Sequence, residues 1–220
     1  MSGRTRPEVV VFDLDGTLLD SLPLVLAAIS HAVEPFGTRP TMEIFARLGG
    51  PPERFLPPMI AHARNLPVAL ERLGAFHRDN AHLIQPYAGA KELLATMQTA
   101  GVRTALWTGR DRSSAEWLLQ SHRLQACFAT MVCGDDLATH KPDPAGLREI
   151  LRRLDVPAER TLFVGDADVD VLGGSDCGVD TVLIRHARQV ENHIAARAWC
   201  TVASPADAFD VVLQRVNSPG

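Results

Sequence analysis

Two aspartates separated by one residue, Asp13 and Asp15, follow a run of four apolar residues near the start of the chain. Because alternate residues of an extended chain point to the same side, both carboxylates can face one small volume. Two carboxylates so close repel each other, so one of them should hold its proton more tightly than a free Asp does. Such a pair suits a nucleophile beside a general acid/base. Taken alone, the same residues are also typical of a strand followed by an Asp-Gly turn in a hairpin.

Three later segments carry further groups that can do chemistry. Thr108 and Gly109 offer a hydroxyl and a backbone N–H, which are both donors for an oxyanion or a phosphate. Lys141 is one of only two lysines in a chain that otherwise uses arginine, which favours a role for its compact ammonium group. Asp166 and Asp170 are four residues apart, where a loop is predicted to become a helix. Alone, each has an ordinary structural explanation, but together they form a set of hard oxygen ligands that suits Mg²⁺ rather than zinc.

The composition limits the classes of protein to which the chain can belong. Its 220 residues, 46% of them hydrophobic, can bury a substantial core in one domain with an insertion or in two small domains. The net charge of −4, without a basic run, argues against nucleic acid as the main partner. The longest apolar run, residues 24–29, is far shorter than the roughly 20 residues that span a bilayer, and no signal peptide is expected. Four cysteines without metal-binding spacing are typical of reduced thiols in a cytoplasmic protein.

The order of the predicted elements indicates how these groups are brought together. Continuous apolar runs that end in turn residues are typical of strands buried on both faces of a parallel sheet. The predicted strands are residues 9–12, 102–107, 130–133, 161–164, 181–184 and 201–202. The helices predicted between and after them are residues 90–100, 111–122, 144–154, 169–177 and 205–216. This alternation predicts an α/β fold, a doubly wound parallel sheet with right-handed crossovers, whose ligands lie beyond the carboxyl ends of the strands.

The early part of the chain has a different pattern, with helical spacing and no convincing strand between residues 22 and 83. The helices predicted there are residues 21–36, 41–48, 54–64 and 68–83. We therefore predict an all-helical insertion at residues 19–87, with residues 1–18 and 88–220 forming the α/β core.

Four motifs follow one another along the chain. They are Asp13-x-Asp15-Gly16-Thr17, Thr108 after an apolar strand, Lys141-Pro142, and Gly165-Asp166-x-x-x-Asp170. In this order they resemble the motifs of the haloacid dehalogenase superfamily, in its phosphatase branch. The flanking segments Asp20-Ser21 and Tyr87-Ala88-Gly89 match that branch as well, and the chain is similar to phosphoglycolate phosphatases over nearly its whole length.

The resemblance implies a Rossmann-like core, with the helical insertion acting as a mobile cap domain, and an enzyme that hydrolyses phosphoric monoesters with Mg²⁺. Asp13 would be the nucleophile that forms an aspartyl-phosphate, and Asp15 the acid and then the base. The implied catalytic residues are Asp13, Asp15, Thr108 and Lys141. The implied metal site consists of Asp13, the backbone carbonyl of Asp15 and Asp166, with Asp170 at or near it. The implied substrate-binding groups are Thr108, Gly109, Lys141 and Arg110.

Two features of the sequence bear on the alternatives. The second motif usually continues with Asn or Ser, whereas Gly109-Arg110 stands here, so Arg110 is expected to add a contact to the substrate anion. Phosphomutases of the β-phosphoglucomutase kind carry a His ten residues after the second Asp, and that position is Val25. A phosphomutase and a non-catalytic phosphoester-binding module remain the alternative interpretations.

The substrate is expected to be a small phosphorylated metabolite of unspecified identity. Insertion residues that could reach its organic portion are Arg47, Arg54, Arg78 and His31, whereas His62, His77 and His82 lack a recognisable ligand spacing. The sequence does not indicate an oligomeric state.

Overall fold

A six-stranded parallel sheet forms the centre of the molecule, which is known from a computed structural model that describes residues 5–37, 40, 52–186 and 189–218. The strands of this sheet are β1 (Val9–Phe12), β4 (Arg103–Trp107), β5 (Thr130–Val132), β6 (Thr161–Gly165), β7 (Asp180–Ile184) and β8 (Cys200–Val202). They lie in the order β5-β4-β1-β6-β7-β8, and all neighbours run parallel. The predicted doubly wound sheet is therefore confirmed.

Strand β1 is central because its residues are apolar on both sides. Val10 and Phe12 belong to the hydrophobic cluster on one face of the sheet, and Val9 and Val11 belong to the cluster on the other face. The chain visits β4 and β5 on one side of β1 before it crosses to β6 on the other side. The strand order thus reverses beside β1, and the carboxyl end of a strand at such a switch point is where open α/β sheets bind ligands.

Helices cover both faces of the sheet. Those described in the chain are α1 (Leu22–Val33), α2 (Pro52–Phe55), α3 (Leu66–Asn80), α4 (Ala90–Thr99), α5 (Arg112–Ser121), α6 (Ala145–Leu154), α7 (Asp168–Asp176), α8 (Asn192–Ala195) and α9 (Pro205–Asn217). Short 3-10 turns occupy Glu34–Phe36, Pro57–Met59, Ala63–Asn65, Ala81–Leu83, Gln125–Cys127 and Ala158–Arg160. Helices α4, α5 and α9 pack on one face and α6 on the other. Across the described helices, length and apolar content fall short of what a membrane span requires.

The described residues of the segment 22–83 are helical or irregular, and they build a hydrophobic cluster of their own around α1 and α3. Two short strands, β2 (Leu19–Asp20) and β3 (Gln85–Pro86), pair antiparallel where the chain enters and leaves this segment.

One predicted helix of this segment is wrong. Instead of continuing over residues 54–64, the chain ends α2 at Phe55 and passes through two 3-10 turns, because Pro57 and Pro58 have no N–H for a helical hydrogen bond. The helix predicted at residues 41–48 lies outside the described residues.

Candidate active site

A buried lysine bridges two carboxylates at the carboxyl edge of the sheet. Asp13 follows β1 directly, and its backbone N–H donates to the carbonyl oxygen of Val164 at 2.8 Å. The Lys141 Nζ donates to Oδ1 of Asp13 and to Oδ1 of Asp170, both at 2.7 Å. Lys141 is 5% exposed, and its ammonium lies 4.9 Å from the ring centroid of Trp107. Burial by itself lowers the pKa of Lys141, but the two carboxylates outweigh it, so the pKa is raised and the lysine stays charged.

Two glycines leave room for the carboxylates of Asp166 and Asp170. A Cβ on Gly16, which has φ +78°, would collide with the carboxylate of Asp166, and a Cβ on Gly165 would lie 2.5 Å from that of Asp170. The Oδ2 of Asp170 accepts from the amide of Ala167 at 2.9 Å, which fixes Asp170 in the first turn of α7. Both positions therefore require glycine for the carboxylates to lie where they do.

Asp13, Asp166 and Asp170 form a cluster that suits a metal ion. One carboxylate oxygen of each lies within 4.8 Å of the others. Burial raises the pKa of Asp13 to about 7 against the opposing charge of Lys141. Burial, and then the negative charges of Asp13 and Asp170, raise the pKa of Asp166 well above its usual range. Three carboxylates around one ammonium leave negative charge that a divalent cation would neutralise, and hard oxygen donors fit such an ion.

Asp15 has a different partner from Asp13. Arg110 Nε donates to Oδ2 of Asp15 at 2.9 Å, Nη2 donates to Oδ1 at 2.5 Å, and Nη1 donates to the Ser114 hydroxyl at 3.1 Å. Burial alone would raise the pKa of Asp15, but the charge and hydrogen bonds of Arg110 outweigh it, and the pKa is lowered. The two aspartates thus differ in pKa as the sequence predicts. The largest cause at Asp13 is burial, however, and repulsion from Asp15 contributes less.

Thr108 and Gly109 lie beside this pair, at the end of β4. Thr108 is 2% exposed, and its hydroxyl accepts from the amide of Arg110 at 3.1 Å. The amide of Gly109 donates no backbone hydrogen bond to a described residue. A Cβ on Gly134 would collide with the carbonyl oxygen of Gly109, so the loop after β5 packs tightly against this turn.

All of the site residues predicted from the sequence line one cavity of about 1550 Å³. They are Asp13, Asp15, Thr108, Gly109, Arg110, Lys141, Asp166 and Asp170. The structure therefore brings together residues that are up to 157 positions apart, from Asp13 to Asp170. Their assigned roles in catalysis, metal binding and substrate binding stay predictions.

Of the insertion residues considered from the sequence, Arg78 lines the cavity. Arg54 is exposed outside the cavity lining, and His31 packs against Phe76 at a centroid distance of 5.1 Å. Arg47 lies outside the described residues.

Three further residues line the cavity although the sequence interpretation gave them no site role: His77, Trp117 and His186. His186 follows β7, and its Nε2 donates to the carbonyl oxygen of Gly16 at 2.8 Å. The carboxyl-edge rule points to this position, because His186 comes just after a predicted strand. His77 is on α3 and Trp117 on α5, and no local pattern distinguishes them from other residues of those helices.

Comparison with known proteins places the chain among a defined family. The sequence profile described as haloacid dehalogenase-like hydrolase matches residues 10–184. A phosphoglycolate phosphatase of Pseudomonas fluorescens is 32% identical over 190 residues, which cover 82% of this chain and 70% of that protein. An N-acetylmuramic acid 6-phosphate phosphatase of Pseudomonas aeruginosa is 30% identical over 224 residues, covering 95% of this chain and 96% of that one.

Solved structures show the same fold. A hydrolase from Pseudomonas syringae superposes with a TM-score of 0.80 at 23% identity, covering 96% of this chain and 99% of that chain. At this level of identity the likeness shows the fold alone.

Proposed function

Because the chain belongs to the haloacid dehalogenase-like hydrolases, we propose that it hydrolyses the phosphate monoester of a small metabolite, with Mg²⁺ as cofactor. The observation that carries this proposal is the buried Lys141, held between Asp13 and Asp170 beside Asp166 at the floor of a large cavity. Phosphoryl transfer depends mainly on positioning and on neutralising charge, and this floor supplies both.

Asp13 is the proposed nucleophile. One of its oxygens is fixed by Lys141, and the other is proposed to attack phosphorus and form an aspartyl-phosphate. Lys141, the Thr108 hydroxyl and the Gly109 amide are proposed to hold the phosphoryl oxygens. Mg²⁺ would be held by Asp13, Asp166 and the carbonyl of Asp15, with Asp170 at or near it, and would neutralise the charge of the transferring group.

Asp15 is proposed to protonate the departing alcohol and then to remove a proton from the hydrolytic water. Its pair with Arg110 opposes the first of these steps, because Arg110 lowers the pKa of Asp15. We therefore propose that the substrate phosphate competes for Arg110 when it enters, which loosens the pair and lets Asp15 accept a proton. This exchange would give Arg110 the substrate contact expected from the sequence.

Residues 19–87 are proposed to form a cap over a core of residues 1–18 and 88–220. The separate cluster around α1 and α3, and the β2–β3 pair at the two crossings, support this division. Val25, where a phosphomutase would carry histidine, is an apolar residue of the cavity wall and cannot transfer a proton. We propose a cytoplasmic location on the basis of four free cysteines. We propose small molecules as partners rather than nucleic acid, on the basis of the net charge of −4, and rather than membranes, because the longest apolar run is residues 24–29.

The test is release of inorganic phosphate from p-nitrophenyl phosphate and from a panel of phosphorylated metabolites, with Mg²⁺ and with EDTA. We expect turnover that requires the metal. Absence of turnover on the whole panel, with the protein folded and Mg²⁺ present, would favour a phosphoester-binding module instead.

A further inference from the structure

The cavity above the proposed catalytic floor is larger than a two-carbon substrate needs. Its volume is about 1550 Å³, whereas pockets that enclose drug-sized ligands measure roughly 300–1,000 Å³. The alcohol portion of phosphoglycolate would therefore contact only the floor. Much of the wall is apolar and comes from α1, α2, α3 and α5, through Val25, Ile29, Phe55, Leu70, Leu73 and Trp117.

Trp117 stands out among the apolar side chains of this wall. It is 49% exposed, and it is one of three large hydrophobic residues with such exposure among those described, with Val68 and Leu83. Of these three, Trp117 lines the cavity. A half-exposed indole in a cavity whose wall is largely apolar offers apolar area that a ligand can cover.

His77 presents an unsatisfied polar group in the same cavity. The ring lines the cavity, and its Nδ1 is buried without a hydrogen-bond partner among the described residues. Burial lowers the pKa of His77 to about 4, with the charge of Arg110 acting in the same direction. The ring is therefore neutral at neutral pH. A neutral imidazole has one N–H donor and one acceptor nitrogen, so it can match a hydroxyl or an amide in both roles, whereas a carboxylate can use only its donor.

The cations near the floor are already paired. Lys141 is bonded to two carboxylates, and Arg110 is bonded to Asp15 and Ser114. Arg78, next to His77 on α3, is exposed and lies at the cavity wall. A carboxylate only two carbons from the phosphate would thus meet a neutral ring at His77, and it would have to share Lys141 and Arg110 with the phosphate itself and with their carboxylate partners.

We propose, on the premise that the chain is the phosphatase described above, that its preferred substrate is the phosphate monoester of a ring-sized, hydroxyl-bearing alcohol such as a hexose. His77 hydrogen-bonds a hydroxyl of that alcohol, and Trp117 packs against its apolar ring face. Both are specificity-determining residues, since they touch the organic portion rather than the phosphate.

The experiment compares kcat/KM for glucose 6-phosphate, N-acetylglucosamine 6-phosphate, phosphoglycolate and p-nitrophenyl phosphate at saturating Mg²⁺. We expect at least one hexose ester to exceed phosphoglycolate by about tenfold or more. His77→Ala should lower kcat/KM for that ester about tenfold or more, and for phosphoglycolate less than threefold, because a site built to bind a hydroxyl loses most when that bond is lost. Trp117→Ala should raise KM for the hexose ester alone.

Matched controls exist for both variants. His82, in the turn Ala81–Leu83, is exposed outside the cavity lining, and Leu83 is an exposed apolar residue outside it. His82→Ala and Leu83→Ala should leave both rates unchanged. His77→Gln, which keeps a neutral donor and acceptor, should restore part of the hexose rate and serves in place of His77→Ala if that variant unfolds.

A preference for phosphoglycolate, or equal losses on both substrates in the His77 variants, would overturn this inference and leave the phosphatase proposal intact. No turnover of any ester, p-nitrophenyl phosphate included, would instead overturn the phosphatase proposal, and this inference would fall with it.

Discussion

The floor and the wall of the cavity differ in how their polar groups are paired. On the floor, Lys141, Asp13 and Asp170 satisfy one another while nearly fully buried, and Arg110 closes on Asp15 through two hydrogen bonds. On the wall, the Nδ1 of His77 has no hydrogen-bond partner among the described residues. The Trp117 ring there is half exposed. This difference is expected if the floor residues fix one another's positions and leave only a net negative charge for a metal ion, whereas the wall residues contact a ligand.

The physical reason is the cost of burying charge. A charge removed from water must be paired with good geometry, so the residues of the floor fix one another's positions. Leaving a neutral imidazole without a partner, or an indole ring exposed, costs much less free energy. Residues of the wall can therefore remain available to contact a substrate. On this view the floor determines the reaction and the wall selects the molecule. The following experiments test whether the two regions differ in this way.

The largest effect is expected from the floor residue proposed to attack phosphorus. Asp13→Asn should reduce phosphate release by roughly 10⁴-fold or more, because an amide cannot act as the nucleophile. Phosphate release and thermal unfolding measured on the same preparation check this. The matched control is Asp155→Asn. Asp155 is exposed at the end of α6, and its φ of +49° is one that asparagine tolerates. Near wild-type turnover in Asp13→Asn would remove the assignment of the nucleophile.

Lysine offers a second comparison, because the chain has only two. Lys141→Ala should abolish most activity and lower the free energy of unfolding by about 3 kcal/mol, since it leaves buried carboxylates without their cation. Lys141→Arg should restore only part of the activity that Lys141→Ala loses, because a planar guanidinium does not fit where a compact ammonium does. Lys91→Ala, at an exposed position of α4, should change neither quantity. Urea unfolding and phosphate release measure both, and equal stability of the two alanine variants would show that the floor is not held by charge pairing.

Metal removal tests whether the negative charge that remains on the floor must be neutralised by a metal ion for activity. EDTA should abolish phosphate release, and added Mg²⁺ should restore it. Asp166→Ala should raise the Mg²⁺ concentration for half-maximal activity about tenfold or more, because it deletes one proposed ligand. His77→Ala should leave that concentration unchanged, since His77 belongs to the wall. A Mg²⁺ titration of each variant decides this, and full activity in metal-free buffer would contradict the cofactor assignment.

The smallest effect is expected where charges are paired outside the cavity. Burial alone would raise the pKa of Asp136, but hydrogen bonds from Arg112 and the Cys133 amide outweigh it and lower the pKa. A lowered pKa contributes stability above the unfolded-state value, and this contribution is lost as the pH falls through the folded-state value.

Asp136→Asn should therefore lower the free energy of unfolding by about 1 kcal/mol near pH 7, since the pair is partly exposed to solvent. The difference from wild type should shrink as the pH falls below the ordinary range of aspartate. Urea unfolding at several pH values measures it. A loss of unfolding free energy as large as that of Lys141→Ala would mean that charge pairing alone, without burial, accounts for the stability that the floor residues contribute.

The sequence by itself determined the sheet and the floor residues. Apolar runs such as Val9–Phe12 and Thr161–Gly165, each ending in turn residues, specify strands locally, and parallel strands present their carboxyl ends at one edge. Any polar residue that follows such a run must therefore reach that edge, which is why Asp13, Thr108 and Asp166 meet. This part of the site depends on local pattern and on a topological rule, and both can be read without coordinates.

The tertiary structure decided how those groups pair and what faces them. The pairing of Arg110 with Asp15 joins residues 95 positions apart, and it depends on the direction that one side chain takes from its loop. The wall depends on how α3 of the inserted segment is placed relative to α5, because the two helices bring His77 and Trp117 to the same cavity. A helical pattern specifies which residues are apolar, but it does not specify the angle at which the helix packs. That angle is fixed by the fit of whole side-chain surfaces, and for this reason the floor was predictable and the wall was not.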